Sequence, residues 1–264
     1  MYFKNKVVWI TGASSGIGKA IAIELAKQEA RIIISSRNVK KLEATKEACA
    51  FSERIKILPL DLEDYHQMDQ VVKKAITLFG EIAILINNGG ISQRSLAIDT
   101  AIAIDERIFK TNYFGTVALT KALLPYFVAR KRGHIAVVTS VVGKIGTPLR
   151  SSYAASKHAL HGFFDSLRAE VHTDNIKVSL ICPGYVKTNV SINALTADGS
   201  KQNTMDKATE KGLLPEYFAK KMLKAIAKEK QEVVIGGKLE VLAVYLKRFF
   251  PTILAKMISK IDVT

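Results

Sequence analysis

The chain has 264 residues, 48% of them hydrophobic and 24% charged, a composition that supports a buried core and excludes an intrinsically disordered protein. Its formal charge is +15, from 39 basic against 24 acidic residues, but the basic residues are scattered and not gathered into arginine-rich or aromatic-interleaved runs. A solvated basic surface is therefore expected, and a nucleic-acid groove is not.

The first ten residues carry only the four-residue apolar run 7–10 before a glycine turn, so they read as a strand and not as a signal peptide, and no export is expected. Further strand-length apolar runs follow at 31–35, 55–59, 83–86, 134–139, 177–181 and 232–235. Each is almost continuously hydrophobic, as strands buried on both faces of a parallel sheet are. Stretches with helical spacing lie between them, at 19–28, 39–50, 65–79, 107–129 and 153–171. The alternation predicts one α/β domain over 1–264: a doubly wound, seven-stranded parallel sheet of the Rossmann kind with a helical C-terminal tail. Ligands bind such sheets beyond the carboxyl ends of the strands, where the glycine turn, Asn87, Ser140 and Pro183 should emerge. Cys49 and Cys182 have neither zinc-site spacing nor the density of a disulfide scaffold, which suits a reducing, cytoplasmic setting.

The turn Thr11-Gly12-Ala13-Ser14-Ser15-Gly16-Ile17-Gly18 joins the first strand to the first helix. Small residues there let the backbone approach a pyrophosphate, and the helix terminus offers free amides, so Gly12, Ser14, Ser15, Gly16, Ile17 and Gly18 are expected to hold a dinucleotide. After the second strand comes Ser35-Ser36-Arg37. No carboxylate is present there to bind ribose hydroxyls, whereas the Arg37 guanidinium suits a 2′-phosphate, so NADP(H) is the expected cofactor.

Tyr153 and Lys157 stand four residues apart in a helical stretch and so share a face, with Ser140 thirteen residues upstream of the tyrosine. A free phenol has a pKa of roughly 10, and a nearby cation favours its ionised form, which makes the pair a proton exchanger. No metal is expected, since His134, His158, His161 and His172 lack partners at ligand spacing; His158 and His161 are expected on the helix surface.

With these motifs in order, the chain resembles the short-chain dehydrogenases/reductases from about Lys4 to Thr188. The resemblance implies that Asp61, in Leu60-Asp61-Leu62, hydrogen-bonds the adenine, and that Asn87-Asn88-Gly89-Gly90 supports the sheet and lines the cofactor. It implies that Asn112 holds a water in a proton relay. Pro183-Gly184-Tyr185-Val186-Lys187-Thr188 corresponds to the segment that holds the nicotinamide carboxamide. Leu62, Asn88, Pro183, Gly184, Val186 and Thr188 thus join the expected cofactor residues, with Tyr153 and Lys157. In the family's scheme NADPH delivers hydride, Tyr153 exchanges the proton, Ser140 holds the substrate oxygen, and Lys157 lowers the tyrosine pKa and holds the nicotinamide ribose. Glu29 replaces a glycine common before the second strand, and Thr139 replaces the first serine of a frequent pair. More narrowly, residues 88–95 and the apolar tail resemble a subgroup near 11β-hydroxysteroid dehydrogenase and the dehydrogenase/reductase member 7 proteins, which act on steroids, retinoids and other lipophilic carbonyls. A homodimer or homotetramer is implied as well.

Residues 189–215 are polar and turn-rich and read as a mobile lid over the substrate; Leu149 and Arg150 can face the substrate or solvent. The tail 239–264 makes two amphipathic helices separated at Pro251, with Leu242, Leu246, Leu254 and Ile261 among its apolar positions. Three uses compete for it: packing on protein, lining the substrate mouth, or lying on an anionic membrane surface. The expected function is NADP(H)-dependent hydride transfer to or from an alcohol or carbonyl on a lipophilic small molecule. Acyl-thioester ketoreduction and cofactor sensing without turnover are the alternatives.

Overall fold

Seven strands form from the expected runs: β1 (Val7–Thr11), β2 (Arg31–Ser35), β3 (Ile55–Ile57), β4 (Ile84–Asn87), β5 (Gly133–Val138), β6 (Ile176–Pro183) and β7 (Glu232–Ile235). In this computed structural model, which describes residues 1–260, they pair into one sheet of order β3-β2-β1-β4-β5-β6-β7, parallel throughout. Side chains alternate across a strand, and here both faces are covered. Val8 and Ile10 of β1 enter one core with Ile32, Leu25 and Phe218, while Val7 and Trp9 enter the other with Ile33, Phe127 and Phe164. This explains why the runs read as continuously apolar. Trp9 is fully buried and satisfies its one polar atom by donating from Nε1 to Ser35 Oγ at 2.9 Å.

The covering helices are α1 (Gly16–Ala26), α2 (Val39–Glu47), α3 (Met68–Phe79), α4 (Ile102–Phe109), α5 (Gly115–Ala129), α6 (Ser151–Glu170), α7 (Lys207–Glu210), α8 (Pro215–Ala227), α9 (Lys238–Phe249) and α10 (Pro251–Ile258). The single helix expected over 107–129 is longer. It begins at α4, where Ile104 and Ile108 pack with Leu195, and passes through a π-helical turn, Lys110–Phe114, into α5. Helix α8 was not anticipated, although Pro215 suits its first turn and Phe218, Ala219, Met222, Leu223 and Ile226 repeat at helical spacing on its buried face. It covers α1.

Chain order reverses beside β1, whose neighbours are β2 and β4. The carboxyl ends of β1 and β4 therefore flank a crevice at the switch point, with β5 and β6 next to it. Glu29, at the position where the resemblance leads one to expect glycine, has φ 58° and pairs its carboxylate with Lys4 at 3.0 Å. The left-handed turn before β2 is thus kept with a side chain in place.

The tail folds back on the domain. Leu254, Leu246 and Ile258 pack with Val141, Ile145 and Val234, whereas Leu239, Tyr245, Phe249, Phe250 and Ile253 face outward. Ile261 lies outside the described residues. Among those described, no helix is long and apolar enough to cross a membrane.

Candidate active site

The turn after β1 is built to bring backbone close to a ligand. Gly12 has φ 67°, a left-handed conformation that glycine adopts without strain. Thr11 Oγ1 accepts from the amides of Asn88 and Gly89, both at 3.0 Å, and Asn88 Nδ2 donates to the carbonyls of Thr11 (3.0 Å) and Gly12 (3.2 Å). Asn88 is thus the tie between the ends of β1 and β4. Gly89 leaves space that the Leu62 side chain fills: a Cβ there would stand 2.6 Å from Leu62 Cδ1. Thr188 closes the cleft from the far side, its Cγ2 lying 3.0 Å from where a Gly16 Cβ would be.

These residues line a cleft of about 550 Å³. Gly12, Ser14, Ser15, Gly16 and Ile17 border it on one side, Asp61, Leu62 and Asn88 on another, and Pro183, Gly184, Val186 and Thr188 close it near Ser140, Tyr153 and Lys157. Gly18 is buried behind the turn, where it allows the close packing. A dinucleotide fits this shape and this donor set: a backbone cradle with no Cβ in the way, and the N-terminal amides of α1 at its floor.

Arg37 and Lys41 border the end of the cleft beyond β2, together with Arg107. Arg37 Nη1 reaches Glu63 Oε1 at 3.4 Å, and the same oxygen accepts from Arg107 Nε at 3.1 Å and Thr111 Oγ1 at 3.3 Å. Asn38 caps α2 by accepting from the Lys41 amide at 3.0 Å. Lys41 and Arg107 are absent from the sequence-based site; the first follows Arg37 by one turn, in the basic pair Lys40-Lys41, and the second arrives only through the fold.

The structure brings Ser140, Tyr153 and Lys157 together at one end of the cleft. Tyr153 and Lys157 lie on α6, with the Lys157 ammonium 5.8 Å from the phenol ring centroid and donating to the Val138 carbonyl at 2.9 Å. The Tyr153 hydroxyl is hydrogen-bonded to Ser140, which also accepts from the Val142 amide at 3.2 Å. Burial pushes Lys157 down to about 8. For Tyr153 the balance differs from the sequence expectation. Burial raises its pKa above the ordinary phenol value, and Ser140 and the guanidiniums of Arg94 and Arg150 only partly offset this. Asn112 sits in the π-helical turn, fully buried; its Oδ1 accepts from the Ile91 amide (2.8 Å) and its Nδ2 donates to the Ile91 carbonyl and to Ser156 Oγ, both at 3.0 Å. Its side chain thus fixes the loop after β4 to α6. Such turns recur at functional sites.

Helix α6 has no cap of its own. Gln93, fully buried, supplies one from the β4 loop: its Oε1 accepts from the amides of Ser152 (2.9 Å) and Tyr153 (3.4 Å). His158 is exposed as expected, but His161 is not. One turn beyond Lys157, His161 fits between β6 and β7, with Nε2 3.7 Å from Cys182 Sγ and Nδ1 3.6 Å from Glu232 Oε2. One ligand atom from each of His161, Cys182 and Glu232 lies within 4.8 Å of the other two, a grouping that the sequence-based expectation of no partners at ligand spacing for His161 does not contain.

A second cavity, about 320 Å³ and largely apolar, meets the cleft at Ser140 and Tyr153. Its walls include Val141 and Ile145, with Leu242, Leu246 and Met257 from the tail. Arg94 and Arg150 also border it, so Arg150 faces the cavity and not bulk solvent.

Residues 6–198 match the sequence profile of the short chain dehydrogenase family. The chain belongs to that family. It is 42% identical to bovine (Bos taurus) dehydrogenase/reductase SDR family member 7B, covering 98% of this chain and 82% of that protein, and 44% identical to Anopheles gambiae dehydrogenase/reductase SDR family protein 7-like, covering 96% and 81%. Within the short-chain dehydrogenases it therefore stands with the member 7 subgroup, as residues 88–95 and the apolar tail suggest. A short-chain dehydrogenase from Burkholderia phymatum in complex with NAD shares the fold with a TM-score of 0.83 at 20% identity over 96% of each chain. ElxO with NADP bound does so with 0.74 at 24% identity over 88% of this chain and 97% of its own. As a short-chain dehydrogenase the protein is an oxidoreductase that uses a nicotinamide dinucleotide.

Proposed function

We propose that this protein is an NADP(H)-dependent reductase of a carbonyl on a lipophilic substrate, steroid-like or long-chain. One observation carries the reading: Ser140 and Tyr153 stand where a dinucleotide-shaped cleft opens into an apolar cavity. The Ser140 hydroxyl donates to the substrate oxygen as negative charge builds on it. Tyr153, kept protonated at neutral pH by burial, gives that oxygen its proton. Lys157, a cation below about 8, stabilises the phenolate left behind. Asn112 holds the backbone on which this alignment rests. The nicotinamide, when bound, supplies the hydride. A protonated donor favours the reductive direction. The test is a panel of lipophilic ketones, aldehydes and acyl thioesters followed by NADPH absorbance; oxidation of NADPH by none of the lipophilic carbonyls overturns the reading.

Preference for NADP(H) is supported by the absence of a carboxylate at the end of β2 and by the cations Arg37 and Lys41 at that end of the cleft. A charge-assisted hydrogen bond contributes about 1.5–3 kcal/mol. Arg37→Ala should therefore weaken NADPH binding by roughly 10- to 100-fold and leave NADH binding almost unchanged, as read by quenching of intrinsic fluorescence. Equal losses for the two cofactors would remove the argument.

We further infer that the outer face of the tail rests on an anionic membrane surface. Leu239 and Phe249 are 79% and 67% exposed, more than packing on the domain explains, and Lys247, Arg248 and Lys256 accompany the apolar face. The cavity walled by the inner face then opens beside a lipid phase. Replacing Tyr245, Phe249 and Ile253 together by serine should abolish co-sedimentation with phosphatidylcholine–phosphatidylserine vesicles while leaving thermal stability intact. Undiminished sedimentation excludes this face.

A further inference from the structure

His161, Cys182 and Glu232 take no part in the proposed reaction, yet three separate elements bring them together: α6, the end of β6 and the start of β7. Glu232 pairs with Leu180, two residues before Cys182, so thiol and carboxylate rise from the same face of the sheet, the face on which Leu180 packs with Phe164 of α6. His161 is only 6% exposed. Among the described residues its Nδ1 has no hydrogen-bond partner, Glu232 Oε2 at 3.6 Å being too distant for one. A buried ring nitrogen left in this way is costly and calls for a partner.

Cysteine, histidine and carboxylate in series also describe an activated nucleophile. Cys182 is fully buried and lines neither the cleft nor the apolar cavity, so an organic substrate does not reach its sulfur. A single ion does, because the Glu232 side chain is 39% exposed on the edge strand β7. The spacing suits one. Two ligands on a tetrahedral zinc ion stand about 3.3–3.8 Å apart, and Nε2 lies 3.7 Å from Cys182 Sγ while Nδ1 lies 3.6 Å from Glu232 Oε2. A set of imidazole, thiolate and carboxylate selects a borderline-soft metal over calcium or magnesium, which take oxygen ligands. The Thr139 hydroxyl, 3.3 Å from Sγ, is placed to donate to a thiolate there.

We propose that His161, Cys182 and Glu232 form a binding site for a zinc-type divalent cation behind the wall that carries Ser140. The three side chains supply one bond each, and water completes a tetrahedral shell. As the metal–sulfur bond forms, the thiol proton passes to solvent. Lys144, whose ammonium holds Glu232 Oε2 at 2.6 Å, is 26% exposed and swings out as the ion enters. Thr139 precedes Ser140, and Cys182 precedes Pro183, so the ion sits one residue behind two parts of the cleft lining. The site depends on none of the steps proposed for Tyr153.

The test uses the full-length, tag-free, reduced protein, titrated with zinc chloride by calorimetry and with cobalt chloride by absorption. One zinc ion per chain should bind, and cobalt at the same site should show a cobalt–thiolate charge-transfer band. Cys182→Ser should abolish the band, whereas Cys49→Ser should keep it. His161→Gln and Glu232→Gln should each weaken zinc binding at least roughly tenfold. Lys144→Met should strengthen it severalfold, since it removes the competing cation. Failure to bind one ion per chain, a band that survives Cys182→Ser, or an affinity indifferent to Glu232 and Lys144 overturns the proposal. Where Cys182→Ser does not fold by circular dichroism, Glu232→Gln and Lys144→Met, both at partly exposed positions, decide it: opposite shifts in zinc affinity support the site, and any other result overturns it.

Discussion

Tyr153→Phe is expected to lower turnover at least roughly a hundredfold, the lower end for loss of a general acid, while NADPH affinity stays within a few-fold. The change removes one oxygen and its proton from the junction of the two cavities and leaves the ring, α6 and its Gln93 cap in place. Ser140 then keeps its bond from the Val142 amide but has no phenol partner, and substrate oxygen has a hydrogen-bond donor without a proton source. The wild-type pH dependence follows from the same geometry. Tyr153 lies above the ordinary phenol value, so it remains protonated through neutral pH. Lys157 loses its charge as pH rises through about 8, and with it the cation that stabilises the phenolate after donation. Reduction should therefore be flat below that region and decline above it. Initial rates of NADPH oxidation from pH 6 to 10 measure both effects. Turnover in the variant close to wild type would exclude Tyr153 as the acid.

The sheet was legible because its signal is local. Strands buried on both faces must be apolar at nearly every position, and the seven runs needed no long-range information to be found. The turn from Gly12 to Gly18 and the Tyr153–Lys157 pair are local too, one set by a strand-to-helix transition and the other by a single helical turn. What escaped is made by residues far apart in the chain. Gln93 caps α6 across 59 positions, and Asp206 reaches Arg94 across 112. Neither has a sequence pattern, because each depends on where loops return over the carboxyl ends of the strands. His161 shows the same limit in one residue: its helix position allows either face, and only the docking of α6 against β6 places it beside Cys182. The direction of the tyrosine shift differs for a related reason, since spacing reveals the neighbouring lysine but not the depth of burial, which raises the phenol above its ordinary value.

Gly18→Ala should weaken NADPH binding by roughly a hundredfold or more, from loss of at least two charge-assisted bonds of about 1.5–3 kcal/mol each. The new Cβ would stand 2.3 Å from the Gly12 carbonyl oxygen, 2.6 Å from Asn88 Nδ2 and 2.8 Å from the Gly12 carbonyl carbon. None of these can yield cheaply. Gly12 already holds a left-handed conformation, and Asn88 is fixed by its bonds to the Thr11 and Gly12 carbonyls. Relief requires α1 to move away from the turn, which carries the N-terminal amides off the position where a pyrophosphate would be held. The same displacement loosens α1 against α8 and the core beneath it, at a cost of about 1–3 kcal/mol to the fold. Calorimetric titration with NADPH and a thermal melt separate the two effects. The fold should survive with a lower Tm while cofactor affinity collapses. Unchanged affinity in a folded variant would mean that the close approach of Gly12 and Gly18 has no part in holding the dinucleotide.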